Sequence, residues 1–132
     1  MRLLGLDYGT KRVGVAIGDT QTRLALPYGV TSLFGIEKYL ADLIEEEKIQ
    51  IVVMGAPKNL RGEKTASYQA AAKLAQQLRT LPVKIIMEDE RFTTKEVEKI
   101  IRGYGKAKKA VQKDAAAAAI ILQGYLDKLS NL

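Results

Sequence analysis

Leu3-Leu4-Gly5-Leu6-Asp7-Tyr8-Gly9-Thr10-Lys11-Arg12-Val13-Gly14-Val15-Ala16-Ile17 decides the fold: an apolar run carries one carboxylate to a glycine-containing turn, and a second apolar run returns from it. The pattern predicts a β-hairpin with an acidic residue at its mouth. Alternation puts Leu4 and Leu6 on one face and Leu3, Gly5 and Asp7 on the other, while the return strand sets Val13, Val15 and Ile17 against Gly14, Ala16 and Gly18. Asp7 thus ends its strand beside small residues. Aspartate is a poor strand former, and at the end of an apolar strand its carboxylate must be hydrogen-bonded, neutralised or bound to a cation. Gly9 and Gly14 leave room for a ligand's close approach.

Outward from the hairpin, Asp19 to Arg23 reads as a polar turn and Leu24 to Leu33 as a third strand. Pro27 within it cannot donate to a ladder, which predicts an edge position or a break. Ile36, Tyr39, Leu40, Leu43 and Ile44 recur at helical spacing, and the helix should end near Lys48. Ile51-Val52-Val53-Met54 then reads as a central parallel strand buried on both faces and stopped by Gly55. After a polar loop over 58–64, a second helix carries Ala71, Leu74, Leu78 and Leu81 inward and ends at Pro82. Val83 to Met87 supplies another strand, terminated by Glu88, Asp89 and Glu90.

Thr93 and Glu96 fit a capping box for a third helix, stopped by Gly103 and Gly105. A basic loop to Lys109 should follow, then a final helix from Asp114 to Leu129 whose alanine run reflects helix propensity. Three strands before any helix, followed by alternating helix and strand, predict an α/β fold with a mixed sheet flanked by helices. At 132 residues and 47% hydrophobic composition, the chain has the length of one domain over 1–132.

Composition narrows the chemistry. With neither cysteine nor histidine, thiolate nucleophiles, thiolate zinc sites and imidazole bases are excluded, leaving carboxylates, lysines, hydroxyls and hard cations. No run of about 18 apolar residues predicts a membrane span, so a cytoplasmic protein without membrane attachment is expected. The net charge of +6 is concentrated: residues 91–113 hold eight basic side chains against two acidic ones, and the remainder of the chain is neutral. Such a segment favours a polyanion partner, nucleic acid before membrane, over a merely solvated face.

Ligands of open α/β sheets bind beyond the carboxyl ends of the strands, where Asp7, Gly55 and the Glu88-Asp89-Glu90 cluster are expected. Asp114 shares a helical stripe with Ala118, Ile121, Tyr125 and Leu129, so it should face inward from the N-terminus of the last helix. Taken singly, Asp114 fits a dipole partner, Asp7 a turn stabiliser, and one of the three acids a partner for Arg91. Gathered together without histidine, such carboxylates fit one or two Mg²⁺ or Mn²⁺ ions. Alternation requires Asp89 and Glu90 to point to opposite faces, leaving open which of them joins the site.

The chain resembles the YqgF (RuvX) family of the ribonuclease H-like superfamily over essentially its whole length. The matching pieces are Leu6 to Ala16, Asp89-Glu90-Arg91-Phe92-Thr93-Thr94, and Asp114 with Ala117-Ala118 and Ile121-Leu122-Gln123-Gly124-Tyr125-Leu126. The stretch Met54-Gly55-Ala56-Pro57-Lys58-Asn59 departs from the family, with alanine and lysine where leucines are common. The resemblance implies a ribonuclease H-like fold with a five-stranded mixed sheet, its first three strands antiparallel and the rest parallel. It also implies a metal-dependent nuclease processing the precursor of 16S ribosomal RNA at its 5′ end, with catalytic and metal-holding acids at Asp7, Glu90 and Asp114.

Candidate nucleic-acid contacts are Lys11, Arg12, Asn59, Arg61, Arg91, Lys106, Lys108, Lys109 and Lys113. Expected partners are precursor rRNA or branched DNA and precursor ribosomal particles, met by a monomer or a homodimer. Competing readings are a Holliday junction resolvase, a non-catalytic RNA- or ribosome-binding module, and an actin-like phosphate site on Asp7-Tyr8-Gly9-Thr10. The last needs two such domains, and this chain has room for one.

Overall fold

The structure, a computed structural model, describes residues 1–9, 11–57, 65–90 and 106–130, with the side chains of 56–57, 89–90 and 106–112 outside the description. Five strands form one sheet: β1 (Arg2–Tyr8), β2 (Arg12–Asp19), β3 (Leu24–Ser32), β4 (Ile49–Pro57) and β5 (Lys84–Glu90), in the order β3-β2-β1-β4-β5. The β3-β2-β1 ladders are antiparallel and the β1-β4-β5 ladders parallel, as expected for the ribonuclease H-like sheet. Among the described residues three helices flank it: α1 (Ile36–Glu47), α2 (Ala66–Gln77), extended by a short 3₁₀ turn over Leu78–Thr80, and α3 (Lys106–Ser130).

Alternation in the first hairpin sorts the core into two layers. Leu4, Leu6, Val13 and Val15 are buried with Val52 and Met54 against Leu40 and Leu43 of α1 and Leu74 and Ala75 of α2. On the opposite face Leu3, Ala16 and Val53 are buried against Ala118, Ile121, Leu122 and Leu126 of α3. This second face of β1 and β2 is made of small residues, which lets the α3 backbone come close. A Cβ added at Gly5 would lie 2.8 Å from Leu122 Cβ and 2.9 Å from the Ala118 carbonyl. The alanine run therefore does more than favour helix, since Ala115 to Ala119 are all buried.

Gln123 ties α3 to the edge strand, accepting from the Ala25 amide at 2.9 Å and donating to the Arg23 carbonyl at 2.9 Å. β3 is the expected edge strand, and its register shifts where Val15 faces Gly29 and Ala16 faces Pro27. The residue left out of register is Tyr28, so the ladder is interrupted directly beside the proline that cannot donate to it.

Helix α1 ends as read, with Lys48 in the left-handed region (φ 54°) and its N–H on the Ile44 carbonyl. Thr65 caps α2, its hydroxyl oxygen accepting from the Tyr68 amide at 3.1 Å. Thr65→Ala is expected to cost about 1 kcal/mol, read as a lower urea midpoint at unchanged slope.

Four expectations need correction. β4 continues past Gly55 to Pro57, and Glu88, Asp89 and Glu90 lie within β5 rather than beyond it, because the parallel ladder runs on to Pro57↔Glu90 and overrides weak acidic strand propensity. Leu81 lies past the 3₁₀ turn, outside the second helix. Lys106, Lys108 and Lys109 belong to α3 and not to a loop: lysine is a good helix former, and nothing from 106 to 123 breaks the helix. Asp114 is consequently more than two turns inside α3, beyond the reach of an N-terminal cap or the first-turn dipole. The helix expected over 93–103 lies outside the described residues.

Candidate active site

The sheet register builds the site. Gly14 of β2, Asp7 of β1, Gly55 of β4 and Glu88 of β5 stand in one row, because Asp7 pairs with Gly14 on one side and Gly55 on the other, and Gly55 pairs with Glu88. Asp7 is half-buried between two glycines, so neither neighbour fills the space over its carboxylate.

The α3 backbone closes that space from above. A Cβ at Gly14 would lie 1.9 Å from the Asp114 carbonyl oxygen, 2.3 Å from its carbonyl carbon and 3.0 Å from the Ala115 nitrogen. The absence of a side chain at Gly14 thus seats Asp114 directly over the strand position beside Asp7. Asp7 lies on the small-residue face, as the alternation of the hairpin requires, and α3 packs over that same face.

Asp114 is matched by a cation from the hairpin. Arg12, the first residue of β2, donates from Nε to Asp114 Oδ2, joining positions 102 apart in the chain. The pair is partly open, with 38% of the arginine and 28% of the aspartate side chain exposed. A second acid of the same row, Glu88, is 14% exposed and paired with Lys128 near the end of α3. Neither pairing was foreseen, because nothing local in the sequence signals a contact over 102 or 40 positions.

Lys11 and Lys113, the sequence neighbours of Arg12 and Asp114, are exposed. Position 90 stands two residues beyond Glu88 on β5, in register with Pro57. The Glu90 side chain, those of Lys106, Lys108 and Lys109, and the candidate contacts Asn59, Arg61 and Arg91 lie outside the description. Among the described residues no three acidic side chains gather as a ligand set. Asp7 and Asp114 nevertheless offer the hard oxygen donors that suit Mg²⁺ or Mn²⁺, and the guanidinium on Asp114 marks that carboxylate as a place where positive charge settles.

No helix of the described residues is long and apolar enough to cross a membrane. The family model for RuvX, described as Holliday junction resolvase, matches residues 1–128. A Novosphingobium aromaticivorans protein named "Putative pre-16S rRNA nuclease" is 37% identical over 135 residues, covering 98% of this chain and 86% of that protein. A Caldanaerobacter subterraneus protein of the same name is 37% identical over 142 residues, covering 99% of each.

Among solved structures, Thermus thermophilus RuvC superposes with a TM-score of 0.58 at 13% identity, over 99% of this chain and 97% of that one. The fowlpox virus Holliday junction resolvase does so with a TM-score of 0.53 at 13% identity, over 97% and 99%. At such identity these likenesses speak to the fold, which is the ribonuclease H-like one. Matched along nearly all of its length by the family model and by relatives above 30% identity, the chain belongs to the RuvX family.

Proposed function

We propose that this chain is a divalent-metal-dependent nuclease that hydrolyses phosphodiester bonds in structured nucleic acid, with the 5′ end of precursor 16S rRNA as its substrate in the cytoplasm. The observation that carries the reading is the seating of the Asp114 backbone over Gly14, the strand partner of Asp7. Glu90 completes the acidic set in this proposal. Its strand position shares the parity of Glu88, whose side chain meets α3. The names of the RuvX relatives support the substrate class.

In the proposed reaction Asp7, Glu90 and Asp114 hold one or two Mg²⁺ or Mn²⁺ ions. When bound, such ions supply an activated water and neutralise charge on the leaving oxygen. The chain's own residues position and screen. The three carboxylates fix the site relative to the sheet, and Lys11 and Lys113 attract the phosphate backbone of a precursor rRNA or ribosomal precursor particle. No imidazole takes part in proton transfer, since the chain has no histidine.

The helical start of α3 adds an electrostatic track. Lys106, Lys108 and Lys109 fall within its first turns, and the stretch of sequence before it adds Arg91, Lys95, Lys99 and Arg102. Replacing the three lysines by alanine is expected to weaken binding evenly across sequences and to flatten the slope of log affinity against log salt by up to about 3. Unchanged affinity and slope would make them a solvated helix start.

A Holliday junction resolvase is the second reading, favoured by the description of the matching family model. It calls for a homodimer on a two-fold junction, where RNA processing is open to a monomer. Precursor 16S rRNA and a four-way DNA junction, offered side by side with and without Mn²⁺, test both. Mn²⁺-dependent cleavage of the RNA supports the first reading and symmetric nicking of the junction the second. Tight binding without cleavage of either would leave a non-catalytic RNA-binding module.

A further inference from the structure

We infer that Arg12 is an exchangeable internal counter-ion of the acidic site, held on Asp114 in the metal-free protein and displaced from it when a divalent cation binds. The inference rests on the metal-dependent reading above and assigns a role within that site to a hairpin residue. Arg12 is a positioning residue here: it acts through Asp114.

Three observations carry it. Arg12 lies two residues before Gly14 on β2, on the same face, and Gly14 is the point where the Asp114 backbone touches the sheet. The hairpin and α3 are thereby fixed relative to each other, and the guanidinium meets the carboxylate without either chain having to move. The pair is also open, at 38% and 28% exposure. Ion pairs of that exposure are weak, a factor of about 1.4 to 5 in equilibrium terms, so a divalent cation held by more than one carboxylate can outcompete it. Finally, Arg12 Nε is on Asp114 Oδ2, one of the two oxygens with which Asp114 can bind a cation. A guanidinium and a divalent cation crowded on one carboxylate repel each other.

Glu88 and Lys128 supply the contrast within the same structure. Glu88 shares the row of Asp7 but keeps only 14% of its side chain exposed beneath Lys128. Its cation, Lys128, is 68% exposed and sits near the end of α3, on an acid outside the proposed ligand set. Of these two pairs, only the Arg12 pair engages a carboxylate of the proposed ligand set, so it is the one a bound cation would disturb.

The test is a calorimetric titration with Mn²⁺ alone, without nucleic acid, on the full chain and on Arg12→Gln, Arg12→Lys and Lys128→Gln. Arg12→Gln is expected to bind Mn²⁺ about two- to fivefold more tightly than the parent, with Arg12→Lys between them and Lys128→Gln within about twofold of the parent. Equal or weaker binding by Arg12→Gln overturns the inference. So does an equal gain in Lys128→Gln, which would show a general charge effect.

A second measurement on the unmutated chain covers the case in which Arg12→Gln folds poorly. Diamagnetic Mg²⁺ should speed solvent exchange of the Arg12 Nε–H to the rate seen in Asp114→Asn, and an unchanged rate overturns the inference. Mn²⁺ binding by the parent with no Arg12 effect leaves the nuclease reading standing, whereas failure of the parent to bind either ion removes both.

Discussion

Gly14→Ala is expected to destabilise the protein by about 3 kcal/mol, the upper range for forcing a methyl group into a packed interior. The methyl would stand 1.9 Å from the Asp114 carbonyl oxygen, closer than any real contact. What it meets is helix backbone rather than the end of a side chain, so relief requires α3 to lift off the sheet. The other glycines of the same face grade the effect. At Gly5 the first contacts are at 2.8 and 2.9 Å, one of them a backbone carbonyl, and a substantial but smaller loss is expected. At Gly18 the first contacts are the flexible ends of Leu122 and Leu126 at 3.0 Å, so a smaller cost follows, and at Gly29, which pairs with Val15 and so lies on the opposite face, nothing stands within 4 Å and alanine should be close to neutral. Urea denaturation of the four variants should rank Gly14 above Gly5 above Gly18 above Gly29. A Gly14→Ala protein as stable as the parent would mean that α3 does not rest on β2 there, and the seating of Asp114 beside Asp7 would go with it.

That seating explains why part of the site is legible in the sequence and part is not. The alternation of Leu3 to Ile17 is local and two-periodic, so the two faces of the first hairpin, the side of Asp7 and the small-residue character of its surroundings follow from residue order alone. The parity of Asp114 with Ala118, Ile121 and Tyr125 is likewise local to one helix, although the start of that helix is not. Lys106 to Lys109 reads as a loop by charge, and lysine's helix propensity decides otherwise. The alanine run reads as propensity alone until the glycine-lined face beneath it is known. Arg12 reads as a phosphate contact because a lone arginine near a turn carries no mark of its partner, and only the crossing of α3 over β2 gives it Asp114.

Asp7→Asn is expected to reduce metal-dependent cleavage on the order of 10²–10³-fold, the equivalent of several kcal/mol of transition-state stabilisation lost with one charged ligand. The substitution preserves shape and removes charge, so the half-buried space between Gly14 and Gly55 stays filled and the strand register has no reason to shift. Nucleic-acid affinity in chelator should consequently stay within about twofold of the parent, because the basic residues that attract phosphate are untouched. The thermal response to Mn²⁺ then separates a metal ligand from a residue that merely stabilises the turn. At Mn²⁺ concentrations near 100 times its dissociation constant, the parent should gain about 2.7 kcal/mol of stability by mass action. Asp7→Asn should gain much less at the same concentration, since Asp114 remains matched by Arg12 and the site has lost one of its oxygen donors. A variant that is markedly less stable than the parent in chelator, yet gains the same increment from Mn²⁺, would assign Asp7 to the architecture of the hairpin. The metal would then have to be held elsewhere on the chain.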